Sequence, residues 1–220
     1  AKAFGTPNLV HRTTPCEAAR HVADELTWGY HGFLPDLKKT RLFVNFGGNY
    51  FEAEQFARWL DHASLDAKEN GMHTVVVEPR LSVCASKADQ WLPIRPGKDV
   101  ILLLGIAREL IANKFIDEDF LIQYTNAPIL IDGQSKAIKD QDGAYMVWDS
   151  VSQSVQPLKQ GVKPVLRGSF EYQGQPVMTA FETFAESVAD VTPQYVEKTA
   201  DIPEKEVQKL ARMIGEQAMI

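Results

Sequence analysis

The chain predicts an α/β protein, with a parallel sheet, flanking helices and a small β-rich excursion. Two short apolar runs, Leu42–Phe46 and Thr74–Val77, are too brief for helices and rich in strand formers. Between them Phe56, Trp59, Leu60, Ala63 and Ala67 recur at helical spacing and form one apolar face. A strand, a helix and a second strand make a βαβ unit, which requires parallel pairing. The class is therefore Rossmann-like.

The other elements follow in order. Residues 1–15 read as a loop, because Gly5-Thr6-Pro7-Asn8 is a turn signal and Pro15 breaks helices. Glu17 to Leu26 suits a helix, and Trp28 to Lys39 is irregular. Gly47 and Gly48 end the first strand, and Glu52 and Glu54 fall in the first turn of the following helix, where negative charge suits its dipole. Asn70-Gly71 stops that helix. His73 is expected at a sheet edge. Residues 81–90 are rich in small side chains, and Trp91 to Ile94 is extended. Pro96-Gly97 turns the chain, and Asp99 is expected to cap a well-buried helix from Val100 to Asn113. Asp117 caps a shorter helix ending at Tyr124. From 126 to 177 glycines and prolines alternate with short runs at Tyr145–Trp148, Pro164–Leu166 and Phe170–Tyr172, which predicts a β meander. Met178 to Ala189 returns to helix. Thr192-Pro193 reads as an N-cap with proline at the first helical position. Asp201 with Glu204 resembles a capping box before a helix carrying Val207, Leu210, Ala211 and Ile214. The predicted organisation is a core at 1–125, a β-rich excursion at 126–177 and a helical return at 178–220.

Composition excludes several classes. The chain has 220 residues, 45% hydrophobic and 24% charged, as in an ordinary globular protein. A net charge of −6 argues against a nucleic-acid partner. Two cysteines, Cys16 and Cys84, cannot build a disulfide framework. The longest apolar run, Val100–Ala107, is too short to span a bilayer. The start at Ala-Lys-Ala-Phe, without Met, leads us to expect a piece of a longer polypeptide.

The chemistry concentrates between Arg41 and Asp99. A strand runs into glycines, and a second strand ends on Glu78. Glycines let a backbone approach a diphosphate, helix N-termini offer free N–H groups, and a strand-end acid can accept from a ribose hydroxyl. The same turn also occurs in sheets that bind nothing. Motifs of serine hydrolases, zinc proteases and P-loop enzymes are absent from the sequence. Cys84 lies among small residues and reads as a core filler. Cys16 follows Thr-Thr-Pro and precedes Glu, with His11 and Arg12 upstream. Free cysteines are usually buried fillers, but a thiol at a loop-to-helix junction near cations favours thiolate, a soft metal ligand or a nucleophile.

Three motifs carry a family resemblance. They are Ala3-Phe4-Gly5-Thr6-Pro7-Asn8 followed by Cys16; Asn45-Phe46-Gly47-Gly48-Asn49; and Glu78-Pro79-Arg80 with Ala88-Asp89 and Ile94-Arg95-Pro96-Gly97-Lys98-Asp99. Together they resemble the catalytic subunits of molybdenum or tungsten bis(molybdopterin guanine dinucleotide) oxidoreductases, the dimethyl sulfoxide reductase superfamily. The resemblance implies that Cys16 is the metal ligand and that His11 and Arg12 line the substrate funnel, with surface roles the alternative for the latter two. It implies cofactor contacts from Asn8, Gly47, Gly48, Asn49, Glu52, Glu78, Pro79, Arg80, Arg95, Gly97 and Asp99. Glu78 would accept from a ribose hydroxyl and Asp99 would bind the guanine N–H edge. Arg80 and Arg95 would face phosphates or pair with local carboxylates. Glu78 stands where the family usually has aspartate, Lys98 where it has threonine, and Tyr50 where proline often follows. The implied activity is two-electron, oxo or sulfur transfer on a small substrate such as a sulfur oxyanion, polysulfide or arsenate. The alternatives are a formate dehydrogenase or tungsten hydratase of the same family, or a metal-free nucleotide-binding module. A 4Fe-4S cluster is expected outside this segment. Expected partners are the remainder of the large subunit, together with an iron–sulfur protein for electron transfer. A periplasmic or membrane-associated location is favoured, with a cytoplasmic one open.

Overall fold

The computed structural model describes residues 2–7, 18–30, 35–52 and 59–218. It divides into two compact units, residues 1–40 and 41–220. In the first unit a 3-10 turn at Lys2–Phe4 precedes helix α1, Ala18–Trp28, two residues longer at its C-terminal end than the sequence suggests. Residues 35–40 turn back on themselves, the Thr40 hydroxyl donating to the Asp36 carbonyl at 2.8 Å.

The second unit opens with β1 (Leu42–Phe46), α2 (Trp59–Glu69), β2 (His73–Val77), α3 (Val83–Lys87) and β3 (Gln90–Leu92). The strands form a parallel sheet in the order β1-β2-β3, with Leu42 opposite His73 and Val75 opposite Gln90. Side chains alternate across its faces, as the two-residue strand period demands. Val75 and Val77 enter a core shared with Leu102 and Ile106 of α4 (Asp99–Ala112), Val196 of α7 (Pro193–Ala200) and Val207 and Leu210 of α8 (Glu204–Ala218). Val76 turns the other way, into a cluster with Tyr50, Cys84 and Ala85, against which Phe43, Leu60 and Trp91 pack. With both faces covered, β2 is a continuous hydrophobic run, the expected reading of a buried parallel strand.

Helix α5 (Glu118–Tyr124) follows, capped as predicted by the Asp117 carboxylate, which accepts from the Phe120 N–H at 2.9 Å. Next come β4 (Leu130–Ile131), β5 (Met146–Asp149), β6 (Ser154–Pro157), β7 (Ser169–Tyr172) and β8 (Gln175–Thr179). All pair antiparallel, in the orders β4-β8-β7 and β5-β6. Trp148 and Phe170 stack with ring centroids 4.2 Å apart, joining the two sheets. Asp149 fastens the second: its carboxylate accepts the N–H groups of Ser152 and Lys163, both at 2.9 Å. Helix α6 (Ala180–Val188) then leads to α7 and α8.

Several expectations are corrected. Met178 is in β8, not a helix, because Gln173-Gly174 makes a two-residue hairpin turn that pairs Tyr172 with Gln175. The helix starts only after Thr179, whose hydroxyl accepts from the Glu182 N–H. Residues 164–166 form no strand; Pro164 makes an isolated bridge to Asp149. Helix α3 is an addition within 81–90, short enough to escape periodicity. His73 opens the central strand instead of lying at an edge. Trp59 is exposed, and so are Val100 and Leu103 on α4, since the core takes only the Leu102–Ile106–Glu109 face. Asp201 caps no helix start: it closes α7 in the left-handed conformation, φ 62°. The N–H of Glu204 is instead met by the Glu197 carboxylate at 2.8 Å, a cap lent by the preceding helix. Among the described residues no helix is long and apolar enough to cross a membrane.

Candidate functional site at the carboxyl ends of the strands

Strand β1 ends in a tight glycine turn. Gly47, at φ +65°, donates its N–H to the Val77 carbonyl at 3.0 Å, tying the turn to the end of β2. Gly48 is held by the buried Asn45 side chain, whose amide donates to the Gly48 carbonyl at 2.6 Å and accepts from its N–H at 3.2 Å. A Cβ on Gly48 would lie 2.5 Å from the Asn45 amide oxygen, so this position requires glycine for space. The turn continues with Asn49, whose side-chain amide donates to Glu52 at 3.0 Å. Glu52 ends the described part of this loop.

Strand β2 delivers Glu78 beside it. The Glu78 main chain is fixed on both sides, its N–H donating to the Leu92 carbonyl at 3.1 Å and its carbonyl accepting from the Trp91 indole at 2.8 Å. Its carboxylate is 12% exposed and accepts a short bond from the Ser82 hydroxyl. That hydroxyl also caps α3, accepting from the Ala85 N–H at 3.2 Å. Arg80 stands between two acids, 3.8 Å from Glu78 and 3.9 Å from Glu52. Neither contact is a hydrogen bond, and the guanidinium is 69% exposed. Pro79 is exposed between them.

Cys84 lies beneath, donating to the side-chain amide oxygen of Asn49 at 3.6 Å. Burial pushes its thiol pKa up, and the Glu78 and Glu52 carboxylates add to that against the N–H groups of Phe51 and Tyr50. A neutral buried thiol is a filler, consistent with its sequence context. Tyr50 is pushed to about 12, first by burial.

The second group of predicted residues follows β3. Gly97 sits at φ +74°, and Lys98 returns its N–H to the Arg95 carbonyl at 3.2 Å. Asp99 is not the cap: Lys98 is, and Asp99 is the first helical residue of α4. The Asp99 carboxylate is half-buried and makes no hydrogen bond or ion pair with another described residue. Arg95 is committed to Asp201, with Nε at 2.9 Å and a terminal nitrogen at 2.7 Å from its two oxygens.

The structure thus gathers Gly47, Gly48, Asn49, Glu52, Glu78 and Arg80. Asn8, His11, Arg12 and Cys16 lie outside the described residues, as do Glu54 and Phe56. Among the described residues no cluster of three or more His, Cys, Asp or Glu side chains could hold a metal. Three residues support the site in roles that sequence reasoning did not assign them. Asn45 had a signal, a polar amide inside an apolar strand run. Ser82 had a weaker one, an N-cap type before small residues. Asp201 had none, since its partner is 106 positions away.

Comparison with known proteins identifies the family. The family model described as molybdopterin oxidoreductase matches residues 8–215. The molybdopterin-containing subunit of the Salmonella typhimurium thiosulfate reductase is 36% identical over 126 residues, covering 57% of this chain and 16% of that protein. A sulfite dehydrogenase subunit of Allochromatium vinosum is 28% identical over 98% of this chain and 24% of its own length. The chain therefore spans about a sixth to a quarter of these relatives. Acetylene hydratase from Pelobacter acetylenicus shares the fold, with a TM-score of 0.59 over 96% of this chain and 21% of that one, at 18% identity. With its family model spanning nearly the whole sequence, this chain belongs to the molybdopterin oxidoreductase family.

Proposed function

We propose that this chain is the part of a molybdenum or tungsten oxidoreductase catalytic subunit that grips one guanine dinucleotide of a bis(molybdopterin guanine dinucleotide) cofactor. The observation that carries the reading is the meeting of the Gly47-Gly48 turn, Glu78 and Arg80 at the carboxyl ends of two parallel strands, where open α/β sheets bind ligands. The Rossmann-like reading of the three-stranded sheet belongs to this proposal.

The residues present suit such a group. Gly47, at φ +65° with nothing within 4 Å of where a Cβ would lie, leaves its backbone open to a phosphate. Glu78 has one of about four acceptor sites engaged, by the Ser82 hydroxyl, which leaves capacity for a ribose hydroxyl. The unpartnered Asp99 carboxylate can take paired N–H donors, as charge-assisted recognition of a guanine edge requires. Cys16, Asn8, His11 and Arg12 are assigned to the metal and substrate side on the resemblance alone. The cofactor, when bound, supplies the two-electron redox chemistry; the chain binds and orients it and sets the charge around it. The division into a core at 1–125, an excursion at 126–177 and a helical return to 220 is part of the same reading. It is supported by α7 and α8 packing back onto α4.

A substrate from the sulfur oxyanions fits the names of the thiosulfate reductase and sulfite dehydrogenase relatives, and an iron–sulfur partner protein would pass the electrons. The test is analysis of the purified holoprotein for molybdenum, tungsten and acid-released guanine nucleotide, followed by viologen-linked assays with thiosulfate, arsenate and formate. Metal and guanine nucleotide should co-purify, and Cys16→Ala should abolish turnover with the nucleotide retained. A holoprotein with neither metal nor guanine nucleotide would overturn the proposal.

A further inference from the structure

We infer that Arg95 and Asp201 form a clamp that positions the Asp99 carboxylate, and so set the base selectivity of the nucleotide site. This rests on the reading of Asp99 given above. Arg95 stands four residues before Asp99, at the entrance to the loop between β3 and α4. Its backbone N–H donates to the Ala200 carbonyl at 2.9 Å. Its guanidinium forks onto Asp201 through Nε at 2.9 Å and a terminal nitrogen at 2.7 Å. Asp201 is itself fixed, in the left-handed conformation, by its N–H bond to the Glu197 carbonyl at 3.1 Å. Three hydrogen bonds therefore pin the start of the loop to the corner between α7 and α8.

From that anchor the path to Asp99 is short and stiff. Pro96 locks one backbone torsion. Gly97 is held at φ +74°, and the Lys98 N–H closes the turn on the Arg95 carbonyl. Asp99 then opens α4 without a side-chain partner among the described residues. A carboxylate that no neighbouring side chain holds takes its position from its backbone, and here the backbone takes its position from Arg95. Energy alone does not explain the pair. The two side chains are 48% and 55% exposed, and exposed ion pairs add little to global stability. What a planar fork supplies is direction, because both bonds must align together. A carboxylate reading two N–H groups of a base needs that alignment, since binding geometry tolerates errors of only about half an ångström.

The test titrates the full chain, freed of cofactor, with GDP and with ADP. The two probes share ribose and diphosphate, so a general loss of structure weakens both alike and only the reader of the base changes their ratio. The wild type should prefer GDP, and Asp99→Asn should remove the preference. Asp201→Asn keeps a residue that tolerates left-handed backbone, and should cut the preference about three- to tenfold, a partial loss of one bidentate pair. Arg95→Lys keeps the charge without the fork and should fall between. If both clamp variants keep the wild-type ratio while Asp99→Asn loses it, the clamp is refuted and the reading of Asp99 stands. If the wild type shows no preference, or Asp99→Asn retains it, the underlying reading falls and the clamp with it.

Discussion

Replacing Asp89 with asparagine should loosen the central strand of the parallel sheet, and the pH dependence of the loss should reveal its cause. Asp89 precedes β3, yet its carboxylate reaches the start of β2. One oxygen accepts both the N–H and the hydroxyl of Thr74, each at 2.7 Å, and the other meets the Lys68 ammonium of α2 at 3.0 Å. Burial alone would raise its pKa; the Thr74 N–H, the Thr74 hydroxyl and Lys68 outweigh that and hold it at about 2, against an ordinary 3.8. A displacement of that size corresponds to ~2.5 kcal/mol at most. The side chain is 33% exposed, so solvent screening trims the expected contribution to roughly 1–2 kcal/mol. The folded-state pKa is depressed, so this stability is complete above about pH 4 and is lost as pH falls towards 2. Urea unfolding of wild type and Asp89→Asn at pH 7, 4, 3 and 2.5 measures the difference directly. The gap should be widest at pH 7 and should narrow between pH 4 and 2.5. A gap that does not change with pH would show that the carboxylate acts by shape, and would refute the charge argument.

Two further substitutions test close packing. Gly48→Ala would place a Cβ 2.5 Å from the Asn45 amide oxygen and disrupt both Asn45–Gly48 bonds; calorimetry should show a loss of ~1–3 kcal/mol, with Asn45→Ala/Gly48→Ala costing less than the sum of the single changes. Gly215→Ala in α8 would normally stabilise a helix by ~1 kcal/mol. Here the new Cβ would sit 2.2 Å from the Phe115 ring, so chemical denaturation should show net destabilisation, and pairing it with Phe115→Leu should recover part of the loss.

The βαβ core was legible because its signals are local and repeated. Val75, Val76 and Val77 are apolar in succession only because both faces of β2 are covered, and that pattern is visible without coordinates. Gly47, Gly48 and Glu78 were legible for a related reason, since a strand end is marked by the residue where the apolar run stops. What escaped was whatever depends on distant partners. The cap of α8 comes from Glu197, so the neighbouring Asp201, a better N-cap by type, misled the reading. Met178 was placed in a helix because its strand is defined by pairing with Ser169 and not by its own composition. The exposure of Val100 and Leu103 could not be read from an apolar run that would serve equally well in a buried helix.

The same logic explains why the polar chemistry sits where it does. A sheet covered on both faces has no room for a ligand on those faces; only its edges and strand ends reach solvent. Of the two ends of β2, the amino end is closed by Asp89, whose lone pairs are spent on Thr74 and Lys68. The carboxyl end is furnished differently. Glu78 is held by a single hydroxyl, and Arg80 stands beyond hydrogen-bond range of both its carboxylates. The amino end also keeps buried atoms without a partner among the described residues, His73 Nε2 and Gln90 Oε1, so what distinguishes the carboxyl end is the glycine turn tied against it through the Gly47 N–H and the Val77 carbonyl.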